Sequence, residues 1–419
     1  MPLDLNLIRE QFPSLDRPAV FFDNPGGTQI ALQSVERINR YLLESNANHE
    51  GAFETSQKSD AVLDEAHAAM ADFLNAARPE EIVFGNNMTT LTLHLSRTLA
   101  RTLSAGDEIV VTRLDHDANI SPWLLVAEDK GCKVTWIDFD VEDCTLKLDD
   151  FQKAMERKPK IVAFGYASNA VGTINPVRRL TKMAKEAGAL VYIDAVQYAP
   201  HGPIDVQDIG CDFLVASAYK FFGPHVGVLY GRHSLLEELP AYRVRPAPSE
   251  PPGKFETGTG NFEGLAGTLG ALEYLAWVGE TFGAEHAERY GGQFSGRRLL
   301  LKQAMSAIRA HEIEMAGLLL DALQAVPGLT VHGLTDRRRL DARAPTVSFT
   351  LRGRHPRQVA EALGRDGIYA WDGNYYALAV TERLGVEASG GMVRVGLAHY
   401  NTPAEVERLS VSLQRLAAG

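Results

Sequence analysis

Lys220 and Asp194 are the two side chains of this sequence best placed for chemistry. Lys220 lies in Phe213-Leu-Val-Ala-Ser-Ala-Tyr-Lys-Phe-Phe-Gly-Pro224 and Asp194 in Leu190-Val-Tyr-Ile-Asp-Ala-Val-Gln197. Each follows a short apolar run rich in β-branched and aromatic residues, the pattern of a buried strand. Each therefore stands where the strands of an α/β sheet deliver side chains to a ligand crevice. A deprotonated lysine there can form an imine with an aldehyde, and burial among Tyr219, Phe221 and Phe222 would lower its pKa. An aspartate there can hold a protonated ring nitrogen, or it can cap the turn that follows. A single lysine after a strand is more often an exposed strand end; the pairing is what points to a site.

Other residues add to the pair. An anion in the same crevice would need backbone amides at a helix N-terminus and hydroxyl donors. Val83-Phe-Gly-Asn-Asn-Met-Thr-Thr-Leu-Thr92 offers a strand, a Gly-Asn-Asn turn, then Thr89 and Thr90 at a helix start, and reads equally as an ordinary helix cap. Ser217, just before Lys220, is a second donor. His116, in Asp115-His-Asp-Ala-Asn119, follows a strand at the same sheet edge, where an imidazole could stack on a ring or move a proton. Arg394, in Met392-Val-Arg-Val-Gly396, is costly to bury unpaired; a substrate carboxylate or a structural salt bridge would each satisfy it. An imine-forming lysine, a carboxylate for a ring nitrogen and a phosphate cradle are together what pyridoxal 5'-phosphate requires.

Competing motifs are weak. Gly258-Thr-Gly-Asn-Phe-Glu-Gly264 lacks the dinucleotide-loop spacing and follows a proline-rich loop, not a strand. His49, His67 and His94 have no metal-ligand spacing. The three cysteines, Cys132, Cys144 and Cys211, are too few and too scattered for a disulfide framework or a thiolate zinc site. A formal net charge of −11 argues against nucleic acid or an anionic membrane as partner. Arg337-Arg338-Arg339, flanked by Asp336 and Asp341, reads as a solvated loop. Met1 to Leu15 has no signal-peptide core, and no apolar run is long enough for a membrane span, so a cytoplasmic protein is expected.

These residues need a scaffold, and 419 residues that are 45% hydrophobic suffice for a large core and two domains. Strand-like runs begin near Ile82, Glu108, Lys133, Lys160, Leu190, Phe213 and Gly227, with helical patterns between several of them, such as Arg178 to Ala187 before Gly188. That alternation predicts βαβ units and a mostly parallel, seven-stranded sheet. Four prolines between Arg245 and Gly253 preclude a regular helix there. A long helical region is expected from about Leu265 to Ala325. Strands are expected at Leu329–His332, Thr346–Thr350 and Met392–Val395, with a helix at Pro356–Arg365. The predicted organisation is a large domain over residues 23–285 and a smaller α+β domain formed by residues 1–22 and 286–419.

Read together, these runs resemble the class V aminotransferase family of fold-type I pyridoxal-phosphate enzymes, in its cysteine desulfurase-like branch. The likeness runs from Phe22-Asp-Asn-Pro-Gly-Gly27 to His399-Tyr-Asn-Thr402. It implies Lys220 as the Schiff-base lysine, Asp194 as the pyridinium partner, Gln197 near the phenolic oxygen, His116 stacked on the ring and Asn169 in the pocket. It implies Met88, Thr89 and Ser217 around the phosphate, Arg394 on the substrate carboxylate, and a homodimer in which Thr259 reaches the partner's phosphate site. Two positions depart from the branch. Its desulfurases carry a mobile catalytic cysteine shortly before the arginine strand, and the matching stretch Trp371-Asp-Gly-Asn-Tyr-Tyr-Ala377 places Tyr376 there, as a candidate substrate-binding residue, with the roles of Tyr375, Arg243 and Arg245 left open. The residue before the lysine, histidine in typical desulfurases, is Tyr219. The expectation is an enzyme acting at Cα or Cβ of an amino acid, led by lyase-type elimination that needs no acceptor cysteine. Transamination and epimerisation are rivals, and a non-catalytic pyridoxal-phosphate-binding or sulfur-partner protein is the alternative of another class.

Overall fold

The computed structural model describes residues 2–418; Met1 and Gly419, the outermost residues of the expected smaller domain, lie outside them. A two-residue strand, β1 (Val20–Phe21), precedes the central sheet. That sheet comprises β2 (Ile82–Gly85), β3 (Glu108–Thr112), β4 (Lys133–Ile137), β5 (Ile161–Gly165), β6 (Leu190–Asp194), β7 (Phe213–Ser217) and β8 (Gly227–Gly231). The seven sequence runs are these strands, to within a residue at each end. Spatial order is β2-β8-β7-β6-β5-β3-β4. β4, β3, β5, β6 and β7 run parallel, while β8 is antiparallel to both of its neighbours. The reason lies in the connection. Residues 218–226 are too few for a helical crossover, so the chain turns straight back after β7. Lys220 sits in that tight return.

β3, β5, β7 and β8 are buried along their whole length, as strands covered on both faces must be. One covering layer includes the helices Met88–Ala100 and Ser121–Lys130, whose Leu95, Leu99 and Trp123 pack with Val111, Tyr192 and Phe213. The helices Glu54–Leu74, Val177–Glu186 and Phe262–Phe282 contribute Phe73, Leu180 and Leu272 to a second core with Phe164 and Ile193. Each fully buried large apolar side chain contributes about 1.5–3 kcal/mol. That outweighs the few tenths by which helix propensities differ per residue, so packing decides these elements.

The helical region expected from Leu265 to Ala325 is not continuous. It is two long helices, Phe262–Phe282 and Gly296–Gln324, with short turns between. Gly283, Gly291 and Gly292 fall in the break, where glycine makes helix continuation costly. The two helices fold back so closely that a Cβ on Gly279 would strike the Leu300 carbonyl at 2.0 Å.

The C-terminal strands are β9 (Leu329–His332), β10 (Thr346–Leu351), β11 (Ile368–Tyr369), β12 (Trp371–Gly373) and β13 (Met392–Gly396). Four of them form an antiparallel sheet, β12-β13-β10-β9. β11 instead pairs in parallel with β1. The N-terminal segment is thus divided. Ile8 and Phe12 join the core of the large sheet, whereas Val20 and Phe22 join the core of the C-terminal sheet. No helix among the described residues is long and apolar enough to cross a membrane.

One contact holds the turn after β2 in place. A Cβ on Gly227 of β8 would lie 2.4 Å from the backbone carbon of Asn87. Gly227→Ala should therefore destabilise the protein by about 1–3 kcal/mol, because backbone must shift to admit the methyl group. Denaturant unfolding measures this, and an unchanged midpoint would show that the turn yields freely.

Candidate active site

The strand ends after β2, β3, β5, β6 and β7 converge on one cavity. Eight of the residues singled out in the sequence line it: Met88, Thr89, His116, Asn169, Asp194, Gln197, Ser217 and Lys220. Arg394 and Tyr376 are not lining residues; Arg394 lies behind Asn169 and Tyr376 against His116. Thr259 is exposed and outside the cavity of its own chain. Phe221 and Phe222 do not line the cavity either. They pack into the core against Phe73 and against Phe12 and Tyr274, which leaves Tyr219 as the aromatic neighbour of the lysine.

Lys220 is buried, and its amine donates to the Pro25 carbonyl. The amine also lies 5.1 Å from the centre of the Tyr219 ring. Burial pushes it down to about 7, and the nearby Arg394 guanidinium acts in the same direction against Asp23 and Asp194. Asp194 closes β6, and its Oδ1 accepts from the Val196 amide at 2.9 Å. The carboxylate therefore caps its turn and faces the cavity at once. Burial raises it to about 6, partly offset by the Val196 amide and then by Lys220.

His116 follows β3 through a buried support. Asp115 accepts from Thr112 Oγ1 at 2.8 Å, from the Gly165 amide at 2.9 Å and from Asn119 Nδ2 at 2.8 Å, pinning the loop to β5. Burial lifts Asp115 to about 7. His116 Nδ1 accepts from the Ala118 amide at 3.0 Å, so the neutral ring carries its proton on Nε2. Burial, then Lys220 and Arg394, depress the imidazole to about 4, which keeps it neutral around pH 7.

At the opposite wall, Asn87 caps the helix Met88–Ala100 by accepting from the Thr90 amide at 2.9 Å. The Met88 amide donates to Ser217 Oγ at 3.1 Å, joining the helix start to the end of β7. Gln197 Nε2 donates to Thr346 Oγ1 at 2.9 Å, while its Oε1 has no partner among the described residues. Asn169 Nδ2 donates to the Tyr375 carbonyl at 2.9 Å, and its Oδ1 is likewise buried without a partner.

Arg394 projects from β13. Its Nη1 donates to the Asn169 carbonyl at 3.0 Å, and its Cζ lies 4.5 Å from the centre of the Tyr375 ring. Nη2 is 3.7 Å from Asp23 Oδ1, longer than a hydrogen bond, and Nε has no partner among the described residues. One edge of the guanidinium is thus buried without an acceptor, and a carboxylate is the group that would satisfy it. Sequence reasoning missed Asp23 and Asp115 and left the role of Tyr375 open. Asp115 stands beside His116 in the same strand-end loop, a usable signal; Asp23 and Tyr375 reach Arg394 only through the fold. No cysteine is among the lining residues: Cys144 and Cys211 are buried elsewhere and Cys132 is partly exposed.

Comparison with known proteins fits this geometry. The aminotransferase class-V family model matches residues 20–297 and 296–409. A cysteine desulfurase of Synechococcus elongatus is 32% identical over 99% of this chain, which spans 64% of that protein. The aminotransferase-like protein FGM3 of Gibberella zeae is 33% identical over 97% of each chain. The apo structure of a cysteine desulfurase from Thermococcus onnurineus NA1 matches with a TM-score of 0.86 at 28% identity, over 100% of both chains.

The electrostatics at Lys220 can be read directly. Only the unprotonated amine is nucleophilic, so acylation of Lys220 in the cofactor-free protein should rise with pH through about 7. An ordinary lysine would react with a midpoint near ~10.4. Arg394→Met removes a positive neighbour and should move the midpoint upward. Peptide-resolved mass spectrometry of pulse-labelled protein gives both midpoints; a value near ~10 in the unaltered protein would sink the desolvation account.

Proposed function

The chain belongs to the aminotransferase class-V family, and within it we propose a cysteine desulfurase-like lyase that eliminates a group from Cβ of an amino acid without forming a persulfide on itself. It is a pyridoxal-phosphate enzyme with the fold-type I architecture of its relatives. The observation that carries the lyase reading is a cavity where Lys220 and Asp194 meet and which no cysteine lines.

The residues present suit the cofactor. Unpartnered buried oxygens on Gln197 and Asn169 call for hydrogen-bond donors, an aspartate without a full countercharge for a protonated ring nitrogen, and a lysine depressed towards neutrality for an aldehyde. In this assignment Lys220 holds the aldehyde carbon, Asp194 the ring nitrogen and Gln197 the phenolic oxygen. His116 covers the ring, Asn169 borders it, and Ser217 with Met88 and Thr89 receives the phosphate at the helix start. When bound, the group supplies an electron sink for the bond broken at Cα.

The other steps fall to the protein's own side chains. Arg394 is assigned to the substrate carboxylate through its unpartnered Nε edge. The amine of Lys220, with its pKa near pH 7, takes the proton from Cα. The bond from Cβ to its substituent then breaks, and the electron pair leaves with the substituent. A sulfur leaving group departs as free thiol or sulfide, because no thiolate stands in the cavity to take it. Burial raises the thiol of Cys144 to about 12 and also raises that of Cys211, so neither is a nucleophile near pH 7. Tyr219, whose phenol burial raises above its usual range, is a poor substitute for a proton-carrying imidazole. The same reading takes the protein as a homodimer in which the exposed Thr259 serves the phosphate site of the second copy. It also places the protein in the cytoplasm, where three free cysteines persist reduced.

Two measurements test this. Borohydride reduction of the holoprotein should fix the cofactor on Lys220, and Lys220→Ala should abolish that trapping; trapping that survives the substitution refutes the assignment. A panel of amino acids carrying Cβ leaving groups should yield 2-oxo acid, ammonia and the freed group in equal amounts, the acid and freed group followed by mass spectrometry. A protein-bound persulfide, a racemised substrate, or amino-group transfer as the main outcome would overturn the lyase reading in favour of desulfuration, epimerisation or transamination. No spectral change or product across the panel would favour the non-catalytic binding role.

A further inference from the structure

The stretch at the expected cysteine position is built as a fixed clamp. Tyr375 and Tyr376 both have left-handed backbone, with φ of 56° and 59°. Consecutive left-handed non-glycine residues are strained and persist only where their surroundings hold them. Here both carbonyls turn towards the cavity loops and are used. The Tyr375 carbonyl accepts from Asn169 Nδ2 at 2.9 Å, and the Tyr376 carbonyl accepts from the Asp117 amide at 2.6 Å. The turn is closed from its own side as well. Asn374 Oδ1 accepts from the Tyr376 amide at 3.1 Å, and Asn374 Nδ2 donates to Glu387 at 3.1 Å. The Tyr376 ring lies nearly parallel to the His116 ring, with centroids 5.6 Å apart and planes 19° apart. At 74% exposure, that ring does little as core packing.

We propose that Tyr376 is a positioning residue for His116: its carbonyl holds the start of the turn after the histidine, and its ring runs nearly parallel to the imidazole and braces it from beside. The imidazole so braced lines the cavity, whereas Tyr376 does not. Where the desulfurases have a segment that must swing, this chain has one tied to two cavity loops. The orientation of His116 stands on the geometry alone. Its use, to lie against the cofactor ring, rests on the function proposed above.

Imidazole NMR of the cofactor-free protein tests the proposal with Tyr376→Ala and Tyr376→Phe. The exposed position makes both variants compatible with folding. In Tyr376→Ala, loss of the neighbouring ring should admit water and raise the His116 titration midpoint by about one pH unit towards the ordinary imidazole value. Lys220 and Arg394, the two cations that also depress it, remain in place, so the rise should be partial. Tyr376→Phe keeps the ring and should restore the parent midpoint. An unchanged His116 in Tyr376→Ala overturns the proposal. In the loaded protein, a shifted cofactor absorption band in Tyr376→Ala supports the use of His116 as the stacking face. A moved His116 with an unmoved band keeps the positioning role and overturns the stacking assignment.

Discussion

An amine sealed from water beside a guanidinium cannot keep its proton on ordinary terms. The fall of Lys220 from 10.5 to about 7 corresponds to roughly 5 kcal/mol against the charged form. The rest of the site is arranged around that imbalance. Asp194 and Asp23 supply negative charge without a close ion pair to the amine, and the Pro25 carbonyl takes its hydrogen bond. A direct carboxylate partner would have raised the pKa again and made the amine inert. The support of one nucleophile thus comes from a backbone oxygen, which directs the group without charging it.

The same economy shows at Asp194 and His116. Asp194 caps its own turn and still faces the cavity, so the cap and ligand readings of the sequence were never exclusive. His116 gives its Nδ1 to a backbone amide, which settles its tautomer before any ligand arrives. Local turn chemistry therefore fixes the protonation pattern on which ligand chemistry would draw.

Much of this was legible in the sequence because parallel strands announce themselves. Buried on both faces, they read as unbroken apolar runs, and side chains that follow such runs collect at one sheet edge. Lys220, Asp194, His116 and the Asn87-Met88 turn were recognisable for that reason. The break after Phe282 was harder to see, because Gly283 stands in a stretch whose apolar pattern resumes on the far side. The two-residue strands β1 and β11 carry too little pattern to register at all. Asp23 and Tyr375 could not be tied to Arg394 for a different reason. Their relation to Arg394 is set by which segments the fold lays side by side, and neither spacing nor periodicity encodes that.

The pairing of β1 with β11 has a mechanical meaning. Just beyond β1, Asp23 bridges Gly396 at the end of the strand that carries Arg394. Two residues later, Pro25 receives the lysine amine that projects from the turn after β7. A single short strap is therefore stitched to the C-terminal sheet at one point and to the central sheet at the next. Any rocking of one sheet against the other must pull on that strap, loosening the anchor of the amine and the seat of the guanidinium in the same movement.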